Sequence, residues 1–205
     1  MPAVSVTALL AGLLPLAVYA FVSSITPGPN NMMLTASGMR FGFRRTIFHL
    51  LGVTLGSSLM VALFALGVGG MLMRLPGAQP LFKALACAYL LYMAWGMRKL
   101  AAPRAETADE RPISFFAAVS FQFVNPKVWM MALTAASTLM PPGQPMWLAV
   151  LATSVVFSLV NLPCISVWAA GGAALGRHLE RPGPRAAFAA VMIALTLGMA
   201  LSLYW

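Results

Sequence analysis

Residues 24–31 read Ser24-Ile25-Thr26-Pro27-Gly28-Pro29-Asn30-Asn31, directly after an apolar run long enough to begin crossing a bilayer. No α-helix continues smoothly through Pro27-Gly28-Pro29. Each proline removes an N–H and clashes one turn back, and the glycine loosens the backbone. Two amides follow at once. A helix broken at membrane depth leaves polar backbone that lipid cannot hydrate. Such a break survives only where it is buried in protein or lines a wet cavity. Two readings follow, half of a solute site or a kinked loop at the membrane surface, and this stretch alone leaves both open.

The rest of the chain sets the solvent. Of 205 residues, 60% are hydrophobic and 8% charged, with a mean hydropathy of +0.86. A soluble domain carries about 25% charged residues, so an integral membrane protein is expected. The net charge of +9 comes from 13 Lys and Arg against 4 Asp and Glu. The basic residues sit at the ends of apolar runs, where they act as topology signals and contacts for anionic lipid headgroups, not for nucleic acid. Cys87 and Cys164 lie inside apolar segments and read as small packing residues. Residues 1–39 hold no Lys or Arg, so the first apolar stretch lacks the basic flank of a signal peptide and reads as a retained span.

A span needs about 20 mostly apolar residues, and the sequence offers about six on that measure. They run over residues 6–25 (with a second apolar piece at 32–39 beyond the break), 46–72, 80–97, 113–140, 146–175 and 186–205. The fourth carries Asn125-Pro126-Lys127 in its middle, and Pro163 is expected to kink the fifth. Arg40, Arg44 and Arg45 follow the first span; Arg98, Lys99, Arg104 and Arg111 follow the third; Arg177, Arg181 and Arg185 follow the fifth. The positive-inside rule puts these loops in the cytoplasm and both termini outside. If residues 27–31 re-enter the membrane instead of crossing it, the N-terminus is cytoplasmic. Gly52 with Gly56, and Gly172 with Gly176, are spaced to let helices approach closely in lipid.

Residues 29–37 and 126–137 resemble each other. Both run from a proline and a polar residue through Met-Met to Leu-Thr-Ala and Ser, with gaps. They open the first and second halves, 1–98 and 113–205, joined by a polar linker over 99–112. Three spans per half make the halves opposite in orientation. Interrupted helices at matching positions of inverted repeats point to a transporter site at the repeat interface. Ordinary span composition is the alternative explanation of the similarity.

The four acids, Glu106, Asp109, Glu110 and Glu180, all fall in expected loops. A cationic solute side chain would find no buried negative partner; a zwitterion fares better. Its carboxylate can meet Lys127 and the positive end of a half-helix starting near Asn31 or Lys127. Its ammonium can meet freed carbonyls around Pro27, Gly28, Pro29 and Asn30, or the side-chain amides of Asn30, Asn31 or Asn125. Lys127 is expensive at membrane depth and is expected to face a cavity or to snorkel outward. Gln122 and Asn161 either line the same path or bond between helices. His49 reads as an interface residue, and Trp147, Trp205, Tyr89 and Tyr92 as packing or belt residues.

Thr26-Pro27-Gly28-Pro29-Asn30-Asn31, Gly38, Gly42-Phe43-Arg44, Gly52, Gly56 and Phe121-Gln122-Phe123-Val124-Asn125-Pro126-Lys127 together resemble the LysE-type amino-acid exporter family over essentially the whole chain. Pro112-Ile113-Ser114-Phe115-Phe116 is similar to the branch that includes cysteine and O-acetylserine exporters. The resemblance implies efflux of amino acids or their relatives across a bacterial inner membrane, driven by an ion gradient, often as proton antiport. Many members place an acid after a glycine in the second span; here Ser57 follows Gly56.

The sequence therefore predicts an all-α polytopic membrane protein of about six spans, in two inverted three-helix repeats with broken first and fourth helices. Its expected work is secondary efflux of neutral amino acids by alternating access. Pro27, Gly28, Pro29, Asn30, Asn31, Gln122, Asn125, Pro126, Lys127 and Asn161 form the expected substrate site. No cofactor is called for. A coupling proton and a second copy of the chain are candidate partners beside the lipid. The rival readings are a passive channel and a non-transporting subunit. An intramembrane enzyme fits worst, since there is no His-Glu-x-x-His motif and no Gly-x-Ser-Gly context around Ser37.

Overall fold

A computed structural model describes residues 6–98, 111–178 and 182–202, which are helical with no strand among them. The helices are α1 (Val6–Ile25), α2 (Pro29–Phe41), α3 (Phe43–Ala65), α4 (Val68–Met73), α5 (Ala78–Met97), α6 (Phe115–Phe121), α7 (Pro126–Thr138), α8 (Met146–His178) and α9 (Pro182–Ser202). The acids of the two loops, with Lys99, Arg104, Arg181 and Trp205, lie outside the described residues.

By length and apolarity, three described helices can cross a membrane: Phe43–Ala65, Pro80–Met97 and Met146–Gly176; Gly12–Ile25 and Ala186–Gly198 are shorter apolar stretches. The protein is a multi-pass helical membrane protein. The expected second span, 46–72, is cut short. Its helix ends at Ala65, and Gly67, at φ 93°, turns the chain into α4. The run of glycines at 67, 69 and 70 is the local cause, since φ above zero is nearly free only for glycine. The expected fourth span is two pieces, α6 of 7 residues and α7 of 13 residues. Each is shorter than the about 20 residues a crossing needs.

Local signals set the ends. Gly42, at φ 78° and ψ 165°, joins α2 to α3 with no residue to spare; that backbone region is essentially closed to side chains. Pro29 and Pro126 open α2 and α7 at the first helical position, where a missing N–H costs nothing. Ser114 caps α6 by accepting from the Ala117 N–H at 3.3 Å.

α8, 33 residues long, is the central post and continues as helix through Pro163; it packs against α1, α2 and α3. Small residues make these contacts backbone-close. A Cβ on Gly38 would strike the Ala169 carbonyl, and one on Gly172 the Thr35 carbonyl, while Gly176 faces the Met39 backbone. Gly52 and Gly56 of α3 do the same for α6, against Phe115, Ala118 and Val119. The glycine pairs singled out by spacing are thus helix contact points. α5 and α9 form a separate pair, packed mainly on each other. They meet α2 through a buried cluster of Met32, Met93, Met97 and Met192, where the Thr196 hydroxyl donates to the Met32 sulfur at 2.7 Å.

His49 is 0% exposed within the helix assembly, and neither ring nitrogen has a hydrogen-bond partner. Cys87 is half-buried and Cys164 buried, both as free thiols.

Candidate functional site

The two breaks meet. α1 ends at Ile25 and α2 starts at Pro29; α6 ends at Phe121 and α7 starts at Pro126. Lys127, in the first turn of α7, reaches across to the other break. Its Nζ donates to the Thr26 carbonyl at 2.7 Å, the Thr26 hydroxyl oxygen at 3.0 Å and the Pro27 carbonyl at 3.1 Å. It therefore turns inward and does not snorkel.

Around it, each carbonyl from Val22 to Pro27 has a donor. The Thr26 N–H serves Val22 and the Thr26 hydroxyl serves Ser23. Asn31 Nδ2 donates to Ser24 O at 2.8 Å and Thr26 O at 2.7 Å. Trp168 Nε1 donates to Ile25 O at 3.0 Å. Pro27 itself supplies only its carbonyl. Gly28 is extended, at φ −175°, a conformation any residue adopts. What requires glycine there is space: a Cβ would lie 2.7 Å from Lys127 Cδ and 2.9 Å from its Nζ. The sequence reading valued Gly28 as a loosener of the helix; its work is to admit the lysine stem.

The second break is bonded largely within itself. Residues 122–125 donate three back along the chain, to Val119, Ser120, Phe121 and Gln122, and Trp129 Nε1 closes on Phe123 O at 2.9 Å. Asn125 caps α7 by accepting from the Lys127 N–H at 3.1 Å. Its other side-chain atom, Nδ2, is buried with no partner.

The breaks are also joined by a reciprocal amide pair. Asn30 Nδ2 donates to Gln122 Oε1 at 2.8 Å, and Gln122 Nε2 donates back to Asn30 Oδ1 at 3.1 Å. Gln122 Nε2 further donates to Ala118 O at 2.8 Å, and Ser57 Oγ touches Oε1 at 3.4 Å. From α8, Asn161 Nδ2 donates to Ser24 Oγ at 2.9 Å, leaving its buried Oδ1 without a donor.

Between these groups lies a small cavity. Of the expected residues, Gly28, Asn30, Asn31, Asn125, Lys127 and Asn161 line it; Pro27, Pro29, Gln122 and Pro126 stand behind them. Ser23, Ser24 and Ser57 complete its polar wall, with Val128, Met131 and Ile165 as the apolar one. None of these serines is among the expected site residues, since serine is common in spans; adjacency to the Pro-Gly-Pro break is the usable signal for Ser23 and Ser24. About 20 Å³ is open to the centre of a water-sized sphere, room for one or two waters. The site is contracted around its own side chains. Chemically it offers oxygens on the α1 side and N–H donors on the α7 side, with no carboxylate among its lining residues.

Comparison with known proteins identifies the family. A profile of the LysE type translocator family matches residues 21–204. A protein of Salmonella typhimurium (strain LT2) named cysteine/O-acetylserine efflux protein is 31% identical over 168 residues, covering 80% of this chain and 84% of its own. The protein of the same name from Escherichia coli (strain K12) is 30% identical over 166 residues, with the same coverage. No solved structure matches. Both breaks and every cavity-lining residue fall inside the matched region, and the chain belongs to the LysE type translocator family.

Proposed function

We propose that the chain exports neutral amino acids or their small polar derivatives from the bacterial cytoplasm across the inner membrane. In this reading residues 1–98 and 113–205 are inverted three-span halves, and the cavity at the two breaks is the solute site. The halves rock so that the cavity opens first inward, then outward. The proton gradient supplies the drive. Asn125 and Lys127 hold the carboxylate; the carbonyls at Thr26 and Pro27 hold the ammonium; Asn30, Asn31, Gln122 and Asn161 fix the walls.

One observation carries the reading: Lys127 bonds across from α7 to the α1–α2 break beside the buried, unpaired Asn125 amide. Donors on one side and acceptors on the other, with no acid, suit a zwitterion over a dibasic solute. The relatives named for cysteine and O-acetylserine efflux act on solutes of this kind.

A panel of labelled amino acids, followed for efflux from cells with and without a proton-gradient collapser, tests it. Saturable efflux of cysteine, O-acetylserine or other neutral amino acids, lost on collapse, is expected. Strong export of lysine or arginine without neutral export overturns the substrate class. Efflux by the purified protein alone, with counterflow, separates a carrier from a channel or a subunit.

A further inference from the structure

Both roles given to the site cannot be filled by a solute in the arrangement observed. A primary ammonium has three N–H donors, and those of Lys127 are matched by Thr26 O, Thr26 Oγ1 and Pro27 O at 2.7, 3.0 and 3.1 Å. The lysine has nothing left for a carboxylate, and the oxygens proposed for the solute's ammonium are already taken.

The three oxygens form a cage at the rim of the cavity, carried by the exposed Thr26 and the half-buried Pro27 beside the lining residues. Asn31 Nδ2 pins Thr26 O from the far side. The Thr26 hydroxyl spends its hydrogen on Ser23 O, which turns its lone pairs outward. The cage lies just past the C-terminal end of α1, where the helix dipole favours a cation. Its distances are those of N–H···O hydrogen bonds, the shortest, to Thr26 O at 2.7 Å, falling in the charge-assisted range. Gly28 keeps the approach free of a Cβ. Of the residues lining the cavity from α1, α2, α3, α7 and α8, Lys127 is the single titratable one.

We infer that this cage is a primary-ammonium site, held by Lys127 when the cavity is contracted and taken over by the substrate's α-ammonium during transport. The released Lys127 then meets the substrate carboxylate beside Asn125 Nδ2, a donor that is 0% exposed and lacks a partner. The inference rests on the amino-acid reading above. One ammonium replaces another, so the carbonyls stay satisfied and no bare charge is left in the membrane. The exchange also accounts for the contracted cavity, since room for a solute appears as the lysine stem withdraws.

The test uses the purified full chain in detergent, as wild type and Lys127→Ala, melted at matched ionic strength in ethylammonium chloride or tetramethylammonium chloride. Ethylammonium carries the three donors; tetramethylammonium carries the charge alone. Ethylammonium at about ten times its Kd should raise the Tm of Lys127→Ala by about 3–6 °C, the size expected for filling one site in a chain of this length. Wild type should not respond, and tetramethylammonium should move neither. Equal shifts with both salts, no shift in the variant, or the same shift in wild type overturns the inference. If Lys127→Ala does not fold, competition on wild type decides. The methyl ester of a transported amino acid must compete with its parent, and the N-acetyl derivative must not; equal competition by the N-acetyl compound overturns it. Should no amino acid bind wild type, the amino-acid reading fails, while the ethylammonium melt still reports on the cage.

Discussion

Between α6 and α7 the chain interrupts a helix and bonds the exposed backbone largely from within: residues 122–129 supply the donors for the carbonyls of Val119 to Phe123 and of Asn125, down to the Trp129 indole on Phe123. Between α1 and α2 the interruption is served largely from outside. Trp168 of α8, Lys127 of α7 and the Asn31 side chain hold the carbonyls of Ser24 to Pro27. The first arrangement is stiff because its bonds are local. The second depends on groups carried by other helices, and one of these, a lysine, is long enough to leave. On the proposed reading, a solute remodels the α1–α2 break by supplying donors of its own, while the α6–α7 break stays as the fixed wall. The asymmetry also sorts charge, with acceptors at one break and donors at the other.

The most damaging way to break this contrast is Lys127→Ala. It should lower efflux by at least about 100-fold, the loss of roughly 3 kcal/mol of charge-assisted bonding, with membrane insertion intact. Normal efflux in cells expressing it would remove both the carboxylate role and the asymmetry. Next comes Gly28→Val, which places carbon where the lysine stem runs. Efflux should fall about tenfold, in line with an overpacking cost of about 1–3 kcal/mol. Added to Lys127→Ala, it should cost nothing more, and full additivity of the two would show that Gly28 acts elsewhere.

Asn31→Ala strips a donor from Ser24 O and Thr26 O. Thermal melts should show a loss of about 1–3 kcal/mol, larger than for Asn125→Ser, which keeps an N-cap oxygen for α7 and removes the unpaired Nδ2 donor without adding a charge. Asn125→Ser should leave the Tm within about 4 °C and weaken substrate binding; a larger Tm loss would mean that Nδ2 has a structural duty. The smallest effect belongs to the amide bridge. A double-mutant cycle on Asn30→Ala and Gln122→Ala should give a coupling of about 0.6–1.7 kcal/mol. No coupling would leave the two breaks joined by Lys127 alone.

Proline and glycine announce their effects locally, which is why both interruptions are legible in the sequence, at Pro27-Gly28-Pro29 and at Asn125-Pro126. The same holds for the close contacts at Gly52, Gly56, Gly172 and Gly176, whose spacing encodes a face. The partners of Lys127 are not legible, because two of the three are carbonyls and every residue has one. Nor is the true duty of Gly28, which depends on a side chain about a hundred residues away in the chain. The end of α3 was foreshadowed by glycines at 67, 69 and 70, but apolar composition ran straight through them and masked the turn. The burial of His49 is not legible for a related reason: position along a span does not say which way the side chain faces.

The α5–α9 pair meets α2 through thioethers. Methionine side chains are flexible and polarizable, and their contacts have little directional preference. A seam of this kind adapts to small changes in packing that branched side chains would resist. Its weakness is chemical: each sulfur that gains an oxygen becomes polar, so an oxidant would disrupt the contact of α5 and α9 with α2 while leaving the Lys127 cage untouched.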